Sequence, residues 1–271
     1  MAKTIFITGT SKGFGRVWAE AALKRGDKVA GTARNLEDIK DLTEQYKDSF
    51  LGLKLDVNNR QQCFDAVNQA NEHFGSIDVL ISNAGYGHFG FVEELSEEEA
   101  RNQIETNVFG SLWVIQAVLP IMRKQQSGHI LQVSSVGGVE AFPILGIYHA
   151  SKWAVEGLCQ SLSQEVKGFG INVTLIEPSG FSTDWGTASA SQSEQMEDYE
   201  ALRKAVYERW GGSESGDPEA TGDAVLKIID AENPPLRVLF GKGLVEFMEG
   251  QYQTRVNSWK EWRSVTEEAQ G

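Results

Sequence analysis

The chain has 271 residues, more than a typical domain, yet no Pro/Gly/Ser-rich linker divides it before residue 183, so 1–271 reads as one large domain. Its formal net charge of −13, from 25 Lys+Arg against 38 Asp+Glu, argues against nucleic acid or an anionic membrane surface as partner. Cys63 and Cys159 lack metal-ligand spacing and the four histidines (His73, His88, His129, His149) are scattered, which predicts reduced thiols and no metal centre.

Met1-Ala-Lys-Thr runs directly into the apolar Ile5-Phe-Ile, leaving no room for a signal peptide. Short β-branched runs at 3–8, 28–33, 50–56, 77–83, 129–135, 171–177 and 236–240 predict strands. Helical patterns over 13–25, 36–46, 60–74, 96–124, 146–167 and 218–231 fill the intervals. Within the fourth of these, the apolar run 112–122 is broken by Gln116 and is too short to cross a bilayer. The expectation is therefore a cytoplasmic protein with no membrane partner. Alternating strands and helices, joined by right-handed crossovers, predict an α/β fold: a doubly wound parallel sheet of about seven strands with helices on both faces. Val79-Leu-Ile and Val173-Thr-Leu-Ile lack polar alternation, as expected of strands covered on both sides.

After the first strand comes Thr8-Gly-Thr-Ser-Lys-Gly-Phe-Gly15. Gly9 permits a tight turn, Gly13 lets backbone approach a pyrophosphate, and Gly15 allows the next helix to pack closely. Ser11, Lys12 and Phe14 complete a turn whose helix N-terminus faces an anion. At the end of the second strand stands Arg34, where an acidic residue would bind an adenosine 2′-hydroxyl and a cation accommodates a 2′-phosphate. With Lys12 as a second charge, the reading is NADP(H). The alternative leaves Arg34 in solvent and turns Glu37 or Asp38 to the ribose. Asp56-Val57 and Asn83-Ala84-Gly85 follow the third and fourth strands, at the carboxyl ends where such sheets bind ligands. They read as cofactor contacts or as simple loop punctuation.

Tyr148 and Lys152 are four apart on a helix, so a phenol and an ammonium address one small volume. Ser134 and Ser135 end the fifth strand, and only one of the two can face that volume. Asn107 is a poor fit to the middle of a helix.

The order of the glycine turn, Asn83-Ala-Gly85, Asn107, Ser135, Tyr148-x-x-x-Lys152, and Pro178 with Thr183 resembles the short-chain dehydrogenase/reductase family, along roughly the first two-thirds of the chain. Gly137-Gly-Val and the segment Pro178 to Trp185 look closest to its carbonyl reductase and 17β-hydroxysteroid dehydrogenase-like branch. The resemblance implies a Rossmann-type sheet and a ketone or aldehyde reductase. By this resemblance Tyr148 donates the proton, and its phenol, ordinarily near pKa ~10, is tuned downward by Lys152 together with the positive nicotinamide of the oxidised cofactor. The family's spacing selects Ser135 to hydrogen-bond the substrate oxygen. Asn107 keeps a helix distortion and a proton-relaying water. Pro178, Gly180 and Thr183 position the nicotinamide, although Ser179 stands where the family usually has glycine. The rival readings are an NAD-dependent alcohol or hydroxysteroid dehydrogenase and a non-catalytic NADP-sensing protein.

Phe89, Phe91, Phe142, Pro143, Ile144, Leu145 and Trp185 line a small apolar carbonyl or alcohol substrate, or pack in the core; Tyr86 and His88 share that ambiguity. The polar stretch 187–194 reads as a mobile loop. Met196, Tyr199, Leu202, Val206 and Trp210 recur at helical spacing, so 184–217 reads as a substrate lid hinged at Gly211-Gly212 or as a permanently docked helix. Excess apolar surface on the helices at 96–124 and 146–167 predicts a homodimer or homotetramer. A C-terminal extension, 244–271, fits no motif and caps either the cleft or an interface.

Overall fold

The computed structural model describes residues 2–183, 185, 190–211 and 214–271. Strand β1 (Thr4–Ile7) shows how the core is partitioned. Successive strand side chains point to opposite faces. Ile5 and Ile7 accordingly pack with Trp18 and Ala22 of helix α1 (Gly13–Arg25) and with Val225 and Ile228 of helix α8 (Thr221–Asp230). Phe6 joins Val67 of α3 (Arg60–Phe74), Val114 and Ile115 of α5 (Gly110–Gln125), and Cys159 of α6 (Gly146–Glu165) on the other face.

The remaining strands of this sheet are β2 (Lys28–Ala33), β3 (Phe50–Lys54), β4 (Val79–Ser82), β6 (Gly128–Val133), β7 (Ile171–Pro178) and β9 (Arg237–Phe240). They form one sheet of seven strands, ordered β3-β2-β1-β4-β6-β7-β9, with every neighbouring pair parallel. The order reverses between β1 and β4, and a crevice outside the carboxyl ends of strands at such a switch is where ligands bind. Both thiols are buried and unbridged.

Several expected elements are subdivided. The helix expected at 36–46 opens as a 3₁₀ turn, Leu36–Ile39, whose first turn is capped by the Asn35 side chain, before α2 (Lys40–Tyr46). The helix expected at 96–124 consists of α4 (Glu97–Ile104), a π turn at Glu105–Phe109 and α5. By length and composition this continuous run could cross a membrane, but α5 buries Val114, Ile115, Val118 and Met122 against the sheet and α3, as a core helix does. A small second sheet was not expected: β5 (His88–Phe89) pairs in parallel with β8 (Ser191–Gln192).

That pairing corrects the mobile-loop reading of 187–194 over its second half; Thr187, Ala188 and Ser189 lie outside the described residues, as do Asp184 and Gly212 of the expected lid and hinge. Helix α7 (Glu200–Gly211) begins later than the apolar periodicity implied. Val206 and Trp210 turn inward as expected, whereas Leu202 is exposed and Arg203 takes the buried place beside it. Arg203 ion-pairs with Glu94 and lies over the Phe91 ring at 5.0 Å. The C-terminal extension forms α9 (Leu244–Glu261) and α10 (Arg263–Glu268). Phe247 of α9 stacks on Phe142, and Arg255 lies over Trp153 of α6.

Candidate active site

The glycine turn is built by close approach. A Cβ on Gly15 would stand 2.1 Å from the Gly9 carbonyl oxygen and 2.6 Å from Asn83 Nδ2, so α1 is seated directly on the turn. Gly13 has φ +59°, and its missing Cβ faces open space, the cradle a phosphate needs. The Lys12 side chain does not cap α1, and no acidic residue occupies its first turn, so the dipole and the first N–H groups of the helix favour an anion there. Asn83 does not point at this cradle. Its Nδ2 donates to the carbonyls of Thr8 and Gly9 at 2.9 and 3.0 Å, while Thr8 Oγ1 accepts from the backbone N–H of Asn83 and Ala84. Phe14 likewise turns away, its ring stacked on Trp18 at 5.2 Å and edge-on to Phe181.

Arg34, just past β2, is exposed beside the turn, as is Lys12. Glu37, the acidic alternative, pairs with Lys40, and Asp38 accepts from Asn35. The Asp56 carboxylate accepts from the Asn58 N–H at 3.0 Å, the local turn of the loop-punctuation reading. Val57 is buried against Gly110.

On the other side of the crevice, Tyr148 and Lys152 project from one face of α6 and both are buried. Lys152 Nζ donates to the Val133 carbonyl at 2.9 Å and lies 5.7 Å from the centre of the Tyr148 ring. Burial pushes the Tyr148 phenol up to about 12, opposed by a hydrogen bond from Ser135. Burial also pushes Lys152 down to about 8, opposed by the Glu156 carboxylate. Desolvation dominates both groups in the protein alone, and the lowering of the phenol expected from Lys152 was tied to the bound oxidised cofactor.

Ser135 Oγ accepts from the Gly137 N–H at 3.0 Å and faces the Pro178 carbonyl, whereas Ser134 Oγ points to the opposite side, toward Gly138. His149 braces this loop: its Nε2 accepts from the Phe142 N–H, which leaves the proton on Nδ1 for the Gly137 carbonyl. Asn107 is buried within the π turn. Its Oδ1 accepts from the Tyr86 N–H at 3.1 Å, and its Nδ2 donates to the Tyr86 carbonyl and to Ser151 Oγ at 3.0 Å each. A Cβ on Gly85 would meet Asn107 Oδ1 at 3.0 Å, with Lys152 Nζ 3.8 Å away. Asn107, Gly85 and Lys152 thus share one corner, with Asn107 buried rather than turned to solvent. Ser151, which also donates to the Tyr148 carbonyl, was missed from sequence.

Phe89, Phe91, Ile144, Leu145, Tyr148 and Val206 form a buried apolar cluster bordered by Trp185, Tyr199 and Trp210. Trp185 leans on Tyr148 with ring centres 4.9 Å apart. Phe142 is elsewhere, against His149 and Phe247. His88 is held by Ser193 at 2.8 Å, and Ser193 in turn donates to Glu99. Beyond the cluster, Gly180 O accepts from the Gly216 N–H, and Thr183 Oγ1 accepts from the Trp185 N–H at 3.3 Å.

Comparison with known proteins gives a consistent result. The family model described as short chain dehydrogenase matches residues 3–194. Oxidoreductase BOA17 of Botryotinia fuckeliana is 41% identical over 270 residues, 98% of each chain. The 3-ketodihydrosphingosine reductase of Bacteroides thetaiotaomicron is 38% identical over 249 residues, 88% of this chain and 87% of that one. The solved structure of a short-chain dehydrogenase from Streptomyces avermitilis superposes with a TM-score of 0.92 at 36% identity, covering 99% of this chain and 98% of that one.

Proposed function

This chain belongs to the short-chain dehydrogenase family, and from that premise we propose that it is an NADPH-dependent reductase of apolar ketones or aldehydes. One observation carries the reading: a buried phenol sits within an apolar cluster with Lys152 one helical turn away. A phenol held near 12 is protonated at neutral pH, the state that a proton donor to a carbonyl requires.

The turn at Gly9, Gly13 and Gly15 fits a pyrophosphate, and Arg34 fits a 2′-phosphate. When bound, NADPH supplies the hydride. Ser135 Oγ holds the substrate oxygen and steadies the charge that develops on it. Tyr148 delivers the proton, and Lys152 favours the phenolate left behind. Asn107 fixes the Tyr86 backbone at the mouth of the site. Trp185, Phe89 and Phe91 exclude water and select an apolar body; 3-ketodihydrosphingosine, named for the Bacteroides relative, is the first substrate to try.

The test follows nicotinamide absorbance with NADPH, then NADH, across a panel of apolar ketones. Tyr148→Phe should cut turnover about a thousandfold while leaving NADPH binding intact. Undiminished reduction by a folded, NADPH-binding Tyr148→Phe protein would end the reading. The exposed Phe109 and Trp153 support assembly as a homodimer or homotetramer, which a monomer in sedimentation would refute.

A further inference from the structure

One carboxylate fastens the wall of the apolar cluster to its roof. The wall is Phe89 and Phe91; the roof is α7, which brings Val206 and Trp210 to the same cluster, with Trp210 edge-on to Phe89. Glu94 ends the 3₁₀ turn Val92–Glu94 that follows Phe91, and its side chain is fully shielded from solvent. On the wall, Glu94 Oε2 accepts from the Phe91 N–H at 2.8 Å. On the roof, Oε1 accepts from the Met196 N–H at 2.9 Å and from Arg203 Nη2 of α7. Arg203 is itself buried, with its guanidinium over the Phe91 ring at 5.0 Å. Tyr199, between Met196 and α7, stacks on the same ring at 4.5 Å and donates to Glu93 Oε2 at 2.7 Å. Phe91 is thus held at its backbone by Glu94 and at its ring by two residues of the roof.

Apolar contact alone would dock α7 without fixing where it stops, because hydrophobic burial is non-directional. A shielded carboxylate–guanidinium pair adds little net stability over apolar residues of the same volume, and its best-attested use is to fix register. The bonds at Glu94 tolerate only about 0.5 Å of movement before they weaken, so they admit one position of α7 over the wall.

We propose that Glu94, acting through Arg203, is a specificity-determining positioning residue: it sets the register of α7 over Phe91 and so the shape of the space that receives the apolar body of a ketone. The proposal rests on the reductase reading. A small ketone engages Tyr148 and Ser135 and is indifferent to that register. A bulky apolar ketone must also fill the space among Phe91, Val206 and Trp210, and it needs the roof in place. Preference for the bulky substrate therefore resides in an ion pair outside the catalytic set.

Glu94→Gln keeps the shape and removes the charge that Arg203 and the two N–H groups meet. Wild type and variant are compared on the smallest and the bulkiest apolar ketone that the wild type reduces. For the bulky ketone, kcat/KM should fall about tenfold or more, through KM, with kcat within about twofold. For the small ketone kcat/KM should change far less, so the ratio of the two collapses. Amide hydrogen exchange over 200–211 should accelerate, independently of turnover. Arg203→Met should give the same split. The double variant Glu94→Gln/Arg203→Met leaves no unpaired charge; it should melt closer to wild type than either single variant and still lack the selectivity, which keeps the idea testable if a single variant does not fold. Equal losses on both ketones, an unchanged ratio or unchanged exchange in a folded variant, or a double variant that regains the wild-type ratio overturns the proposal alone. A wild type that reduces no ketone at all sinks the reductase reading, and the proposal with it.

Discussion

Gly15→Ala should damage the protein out of proportion to one methyl group. The new Cβ would stand 2.1 Å from Gly9 O and 3.0 Å from Gly9 C, both backbone atoms that no side-chain rotation can move. A comfortable carbon–oxygen contact is about 3.3 Å, so the helix and turn must separate by roughly 1 Å. That movement strains the two bonds from Asn83 Nδ2 to the Thr8 and Gly9 carbonyls, at 2.9 and 3.0 Å. Overpacking costs about 1–3 kcal/mol and each of the two weakened hydrogen bonds about 1 kcal/mol, which together give roughly 3–5 kcal/mol. In a chain of this size the melting temperature should drop by about 10 °C.

Gly13→Ala is the paired control, because no atom lies within 4 Å of its Cβ and only the φ of +59° penalises it. That left-handed backbone costs about 1–2 kcal/mol, a loss of a few degrees. Both variants should bind NADPH at least about tenfold more weakly, a loss of about 1.4 kcal/mol. Thermal melts and fluorescence titration with NADPH measure the two effects separately. A Gly15→Ala protein that melts and binds like wild type, or a Gly13→Ala protein that is the less stable of the two, would refute the reasoning.

Arg34→Leu should weaken NADPH binding by about tenfold to a hundredfold and leave NADH unaffected; equal losses for both would place the 2′-phosphate elsewhere. Ser135→Ala should lower kcat by about a hundredfold with little change in NADPH affinity, and unchanged turnover would remove Ser135 from the oxygen-binding role. His129 gives a pH signature. Burial, with a smaller contribution from Lys3, holds its imidazole down to about 4, and its Nε2 bonds Thr174 Oγ1 at 2.9 Å. The unfolded chain takes up this proton near pH 6.5, so the stabilisation is complete above that pH and is lost as pH falls toward 4, roughly 3 kcal/mol in all. Urea melts of wild type and His129→Gln at stepped pH should converge across that window, and parallel curves would contradict the assignment.

Much of the architecture was legible because pattern and packing agree. Each of the seven strands was expected within about two residues at either end, and α1 and α3 were expected at their observed bounds. The misses have specific causes. A two-residue strand such as β5 carries no periodicity of its own and exists only because β8 lies beside it. The apolar positions from Met196 to Trp210 were counted as one helix, but Glu197–Tyr199 is a 3₁₀ turn. Three residues per turn instead of 3.6 rotates the face, which exposes Leu202 and buries Arg203. Tyr148 and Lys152 could be placed on one face from helix spacing, whereas the strand period left Ser134 and Ser135 open and only the family resemblance chose Ser135. Asn83 and Phe14 could not be placed, since only the fold shows that they brace the turn rather than line it.

The π turn at Glu105–Phe109 acts as a phase shifter. One additional residue in a turn swings everything before it by about 100° relative to everything after it. Upstream of that slip, Glu99 reaches across to Ser193 and the flap that carries it; downstream, Val114 and Val118 dig into the interior. What looks like a single rod is thus two independently aimed levers on a common axle. Deleting one residue there would leave a straighter helix unable to serve both the mouth and the core.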